Sequence, residues 1–231
     1  GKLRDNVERQ IKQQQELNNS NIAMMQAQLN PHFIYNTLDT IKWVAKANNI
    51  AEISTLVASF AKILRTSISS GQLITLKEEL TLAQCYIDIQ RIRFGGEFKY
   101  NVEIKGELGK CIVPKLIIQP LVENAIIHGL VDRLDGNIHL IVSAENEKLQ
   151  ISISDDGCGM SKEIMERLNN RDRNRSGENI GFTNVDSIIR LRYGDEYGVS
   201  VSAIEEGGTK VKVLLPVIMG EAAEYAKGIG S

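Results

Sequence analysis

Residues 138–160 read IHLIVSAENEKLQISISDDGCGM, and the alternation in this stretch decides the fold class. Apolar residues fall at Ile138, Leu140 and Val142, and again at Leu149, Ile151 and Ile153. A period of two places each set on one face of a strand. The polar residues 145–148 between them form a turn, so the pair reads as a β-hairpin. The second strand runs directly into Ser154-Asp155-Asp156-Gly157-Cys158-Gly159-Met160. Its glycines permit tight turns and close approach of backbone to a ligand. A carboxylate at the strand end can accept a hydrogen bond from a ligand amino group. The alternative at this point is a plain Asp–Gly turn.

Working outward, residues 199–204 and 209–215 form a second hairpin across 205–208, where Gly207-Gly208-Thr209 reads as its turn. Short strands are expected at 100–104 and 111–113. Helices are expected at 161–169, at 183–192, and at 114–130 with Pro120 inside it. Residues 171–179 are polar and charged, contain Gly177, and read as a loop. The order of elements points to an α/β two-layer sandwich with helices on one face of a mixed sheet.

The N-terminal part differs. Residues 2–30 are polar, lack Pro and Gly, and carry sparse apolar residues on heptad-like rows with a register change, as in a coiled coil. Residues 32–48 and 51–70 continue as two helical patterns around a break at Asn48 and Asn49, giving a helical hairpin. A dimer of such hairpins completes a four-helix bundle. Thr75, with Glu78 three residues on, forms a capping box that opens a helix running to about Phe94. Gly95 and Gly96 end it. The expected organisation is therefore α+β: a coiled-coil and helical-hairpin domain over 1–95, the sandwich over 96–217, and a tail over 218–231.

A net charge of −2 gives no reason to expect nucleic-acid binding. Cys85, Cys111 and Cys158 are widely spaced and odd in number, which argues against a disulfide framework and fits a reducing compartment. No apolar run approaches the ~18 residues of a membrane span. The chain opens at Gly1 on a helical pattern and reads as a fragment whose membrane segments lie elsewhere.

Four groups of residues carry chemistry. His32 follows Pro31, and a proline within a helical pattern bends it there. A neutral imidazole is a good nucleophile near pH 7. Asn36, four residues on, shares its face and can fix the ring tautomer. On spacing alone, His32 reads as an ordinary bundle histidine before it reads as a nucleophile. Asn124 and His128 lie one turn apart in Gln119-Pro120-Leu121-Val122-Glu123-Asn124-Ala125-Ile126-Ile127-His128-Gly129. An amide oxygen suits Mg²⁺, and His128 can donate to a phosphate. The alternative is a polar stripe capped by Gly129. The third group is the Asp155–Gly159 box. The fourth is Asn179-Ile180-Gly181-Phe182-Thr183, a glycine loop ahead of a helix N-terminus, where unpaired amides favour phosphate.

In this order the pieces resemble the LytS/YesM-like branch of sensor histidine kinases over roughly residues 24–216. The most specific match is Gln26-Ala27-Gln28-Leu29-Asn30-Pro31-His32-Phe33-Ile34-Tyr35-Asn36-Thr37-Leu38. The resemblance makes His32 the phosphoacceptor and implies a Bergerat ATP-binding fold. It implies ATP and Mg²⁺, with Asn124 holding the metal, Asp155 on the adenine amino group, and Gly157 and Gly159 shaping the pocket. It also implies Gly181 near the phosphates, Thr209 lining the adenine side, and a lid over about 161–180. A homodimer, a response-regulator partner and a cytoplasmic place for this part of a membrane-anchored protein follow from the same resemblance. Asn179 and Phe182 replace the Gly and Leu of the family's usual second glycine box. Pro120 stands where ATP-hydrolysing relatives of the fold carry a glutamate that activates water. An inactive nucleotide-binding scaffold and a Bergerat-type ATPase are the rival readings.

Overall fold

The computed structural model describes residues 31–69, 71–95, 98–129, 135–170, 180–205 and 207–220. The coiled coil expected over 2–30 and the loop expected over 171–179 lie outside the described residues. Contacts divide the chain into two compact units, Gly1–Ala61 and Lys62–Ser231.

In the first unit, α1 spans Pro31–Ala47, and α2, Ala51–Ile68, begins there and continues into the second. Since α1 begins at Pro31, the bend expected ahead of His32 falls on residues outside the described set. The break is made as the sequence implies. Asn49 takes a left-handed φ of 56° and Ile50 N–H donates to the Ala45 carbonyl at 2.9 Å. Asparagine tolerates that conformation better than most residues. Large apolar side chains stand exposed on both helices: Trp43 at 76%, Val44 at 53% and Phe60 at 45%.

The second unit is built on a five-stranded sheet of order β2-β4-β5-β7-β6. Its strands are β2 (Lys99–Ile104), β4 (Asn137–Glu145), β5 (Lys148–Asp155), β6 (Gly198–Ala203) and β7 (Thr209–Pro216). β2 and β4 run parallel and the other pairs antiparallel. Both expected hairpins are present. In the first, Asn146 and Glu147 both carry positive φ, 49° and 60°, as two-residue hairpin turns of the primed kind require. A separate two-stranded sheet pairs β1 (Leu73–Thr75) with β3 (Ile112–Pro114).

The period-two pattern sets the core. Ile138, Leu140 and Val142 of β4 and Leu149 and Ile151 of β5 are fully buried. They pack in one cluster with Leu76, Ala83 and Ile87 of α3 (Leu76–Phe94), Leu121 and Val122 of α4 (Gln119–Asn124), and Val185 and Ile189 of α6 (Ile180–Tyr193). Each such large aliphatic side chain stabilises by about 1.5–3 kcal/mol relative to exposure. α3 was expected to belong with the N-terminal domain, but its buried face is part of the sheet unit's core. The contact boundary therefore falls at Ala61/Lys62 rather than at Gly95–Gly96.

Three further boundaries differ. The helix expected over 114–130 is much shorter. Pro114 ends β3, Leu116 has φ 59°, and helix begins only at Gln119. Pro120 then sits in the first turn, where its missing N–H is no loss. After Asn124 the chain widens into a π turn, Ala125–Gly129. α6 begins at Ile180 rather than 183, so Gly181 lies in its first turn instead of a preceding loop. Ile218 and Met219, assigned to the tail, belong to the fold: Ile112 N–H donates to the Ile218 carbonyl at 2.7 Å, and Cys111 bridges to Met219.

The capping box at α3 is complete. Thr75 Oγ1 accepts from Glu78 N–H at 3.2 Å, and Glu78 Oε2 accepts from Thr75 N–H at 2.8 Å. Thr75→Ala is expected to lower stability by about 1 kcal/mol. Urea unfolding would show this as a lower midpoint at unchanged slope; an unmoved midpoint would mean that the box is not a net stabiliser.

Candidate functional site

A cavity of about 400 Å³ opens in the second unit where α4, the π turn, the end of β5 and the start of β7 meet. Asn124, Asp155, Gly159 and Thr209, all named from the sequence, line it. So do Leu121, Met160, Ile164 and Val211, which sequence reasoning did not single out, and Phe182, which it noted only as a departure from the usual glycine box. The apolar members follow from elements already placed. Val211 lies on β7, Phe182 in the first turn of α6, and Ile164 on α5 (Lys162–Asn169), which Ser161 caps by accepting from Ile164 N–H at 3.3 Å.

Asp155 ends β5 and is only 7% exposed. Its Oδ1 accepts from Gly157 N–H at 3.0 Å and Thr209 N–H at 3.3 Å, leaving Oδ2 for a ligand donor. Burial pushes the carboxyl above the usual range; the two amides pull it part of the way back, and neighbouring Asp156 pushes it up again. The adjacent aspartates have separate tasks. Asp156 accepts from Asn137 N–H at 2.7 Å and from Asn137 Nδ2 at 2.6 Å, fastening the start of β4.

Glycines make the close approach possible. A Cβ on Gly157 would lie 2.0 Å from the Gly129 carbonyl oxygen, and one on Gly208 would lie 1.9 Å from that of Asp155. A Cβ on Gly129 would meet Asp155 Oδ1 at 2.7 Å. The π turn, the glycine box and the β6–β7 turn are thus pressed together backbone to backbone. A π turn between functional elements is a common functional-site feature. Gly159, at φ 77°, lines the cavity, whereas Gly157 shapes it from behind.

Asn124 ends α4 and faces the cavity. Gly181 packs on α4: a Cβ there would be 3.2 Å from Pro120 Cβ and 3.6 Å from Asn124 Nδ2. His128 is the fourth residue of the π turn. Asn124, Asp155, Gly159 and Thr209 are therefore brought together around one space, and Gly157 and Gly181 buttress it.

His32 and Asn36 lie on α1 in the first unit, both exposed. Asn36 Nδ2 stands 3.2 Å from His32 Nδ1, so the expected i,i+4 pair is formed. With Nδ2 donating, Nδ1 is the acceptor and the ring proton sits on Nε2. Turning the amide over makes Oδ1 the acceptor for Nδ1–H and frees the Nε2 lone pair.

A buried carboxylate at a strand end, interlocking glycines and an asparagine at a helix end thus surround one cavity, the arrangement that the resemblance to a Bergerat-type nucleotide-binding domain leads one to expect. The chain belongs to the histidine kinase family. Residues 20–98 match the histidine kinase model, and 111–218 match that of the histidine kinase-, DNA gyrase B- and HSP90-like ATPases. Sensor histidine kinase YesM of Bacillus subtilis is 35% identical over 217 residues, 93% of this chain and 36% of that protein. Sensor histidine kinase BtsS of Escherichia coli is 32% identical over 89% of this chain and 35% of its own length. The chain thus spans little more than a third of these curated relatives. In fold, it is similar to the catalytic domain of the histidine kinase ThkA, with a TM-score of 0.50 at 13% identity, covering 66% of this chain and all of that one.

Because burial raises the Asp155 pKa, the ionised side chain opposes folding as pH rises through the folded value. An asparagine keeps both Oδ1 bonds and removes the charge. Asp155→Asn is therefore expected to leave the ligand-free chain at least as stable at pH 7, yet weaken adenine-nucleotide binding by roughly tenfold or more. Melting with and without ATP checks both halves; undiminished binding would remove Asp155 from the site.

Proposed function

We propose that this chain is the kinase core of a two-component sensor, binding Mg·ATP in the cavity and transferring its γ-phosphoryl group to His32. The observation that carries this reading is the convergence of Asn124, Asp155, Gly159 and Thr209 on one cavity in a chain that also carries the exposed His32–Asn36 pair. The adenine amino group donates to Asp155 Oδ2, and the apolar wall of Leu121, Ile164 and Phe182 excludes water from the base. The phosphates lie toward Asn124 and the first turn of α6.

The donor set suits Mg²⁺. Among the described residues no cluster of three or more His, Cys, Asp or Glu side chains could hold a metal by itself. Magnesium that arrives with a nucleotide needs only one or two protein oxygens beside phosphate and water, and the Asn124 amide oxygen supplies one. Bound there, Mg²⁺ neutralises charge between the phosphates.

Transfer forms a bond from His32 Nε2 to the γ-phosphorus as the bond to the ADP oxygen breaks, in line. Asn36 Oδ1 holds Nδ1–H and supports the positive charge that develops on the ring. Pro120 occupies the place at which related ATPases carry a water-activating glutamate, and proline has no base to offer. This favours a protein nucleophile over water. The phosphoryl group then passes to an aspartate of a response regulator. A homodimer covers the exposed Trp43, Val44 and Phe60 of the hairpin. Among the described residues no helix is long and apolar enough to cross a membrane, and anchoring falls to other parts of the intact protein.

Incubation with γ-labelled ATP should give protein-bound label that is lost in acid and kept in base. His32→Gln should abolish it while leaving ATP affinity within about twofold. Label persisting in the variant would refute His32 as the acceptor.

A further inference from the structure

Glu79 is a buried charged residue for which the reading above has no use. It lies in the first turns of α3, one residue after the capping Glu78, and is 0% exposed. Among the described residues its carboxylate pairs with no cation. Oε2 accepts from Leu116 N–H at 2.8 Å and Oε1 from Ile118 N–H at 2.7 Å. Burial pushes the carboxyl above its usual range, and these amides, with smaller contributions from those of Ile117 and Gln119, pull it part of the way back. The segment they belong to leads into α4. The residue ahead of α4, Ile118, makes no side-chain cap bond. The N–H groups that a helix start leaves open are met here by a carboxylate from another helix.

The cradle is held from both sides. α3 is fixed by its capping box and by Leu76 N–H and Lys77 N–H, which donate to the Cys111 and Gly109 carbonyls at 2.7 and 3.0 Å. On the other side, Lys115 Nζ donates to the Ser69 and Thr66 carbonyls at 2.7 and 3.1 Å. Between these fixed points Leu116 is kept at φ 59°, a left-handed conformation unfavourable for a non-glycine residue. A carboxylate that accepts from the amides on both sides of Ile117 offsets such strain; an apolar side chain does not.

α4 is only six residues long and ends at Asn124. At 1.5 Å per residue, about 8 Å of helix separates the Glu79 cradle from Asn124. Leu121 and Val122, between them, are packed in the core, so the helix moves as a unit. We propose that Glu79 is a positioning residue for the phosphate end of the cavity, setting the place of Asn124 by gripping the amides of the segment and N-cap that lead into its helix. The adenine end is built separately on β5 and β7, where Asp155 is held by Gly157 and Thr209. Glu79 therefore acts on one end of the ligand and not on the other. This inference rests on the reading of the cavity as a nucleotide site.

The test compares the wild-type chain with Glu79→Gln, Glu79→Asp and Asn124→Ala. Calorimetry gives Mg·ATP affinity, ligand-observed NMR gives adenosine affinity, and melting gives stability. Glutamine has the shape of glutamate but turns a donor toward the amides. Glu79→Gln is expected to weaken Mg·ATP roughly ten- to a hundredfold and adenosine less than about twofold, the same split as Asn124→Ala. If Glu79→Gln does not fold, Glu79→Asp, which keeps the charge on a shorter stem, should show the split in weaker form. Equal losses for both ligands, or none, in the Glu79 variants would overturn the inference, and so would an Asn124→Ala variant without the split. A wild-type chain that binds neither ligand would overturn the nucleotide reading and the inference with it.

Discussion

The site depends on backbone approaching backbone more closely than any side chain allows. The Gly129 carbonyl sits where a Cβ on residue 157 would be, and the Asp155 carbonyl where a Cβ on residue 208 would be. That contact brings the π turn, the glycine box and the β6–β7 turn to one point. It also places the Gly157 and Thr209 amides on Asp155 Oδ1. A buried carboxylate without such partners would be protonated or expelled. With them it is retained as an acceptor at the floor of a largely apolar cavity.

The two ends of that cavity have different mechanical origins. The Asp155 end belongs to the sheet, whose five strands are hydrogen-bonded in one layer over one core. The Asn124 end belongs to a short helix bounded by a π turn and by the amide cradle around Glu79. A rigid floor and a separately adjusted wall suit a ligand with an invariant base at one end and reactive phosphates at the other. In the helical hairpin, the i,i+4 pair of His32 and Asn36 lies on an exposed face, which leaves the imidazole accessible to a reacting partner.

What the sequence made legible follows the strength of its periodic signals. Ile138 to Ile153 alternate without interruption, and both strands and their turn fell where expected. Thr75 and Glu78 gave α3 its start, and Gly95, at φ 60°, its end. The stretch 114–130 misled because Ile117, Ile118, Leu121 and Val122 are all buried, and so dense an apolar run has no clear period with which to separate helix from turn. The deciding partner, Glu79, lies far back in the sequence and reads there as a helix-start acid. The Gly95–Gly96 break suggested a domain boundary because glycine pairs end elements, yet only burial reveals that Leu76, Ala83 and Ile87 face the sheet. Of the two adjacent aspartates, nothing local in the sequence separates Asp155 from Asp156. The resemblance points to Asp155; in the structure Asp155 lines the cavity while Asp156 is bound by Asn137.

A crystal structure of the chain with a non-hydrolysable ATP analogue and Mg²⁺ tests the central claim most directly. The account places the exocyclic amine of adenine within hydrogen-bonding distance of Asp155, and the phosphates, with the metal, at Asn124. An analogue bound in the reverse orientation, or elsewhere on the protein with this cavity empty at saturating ligand, would contradict it.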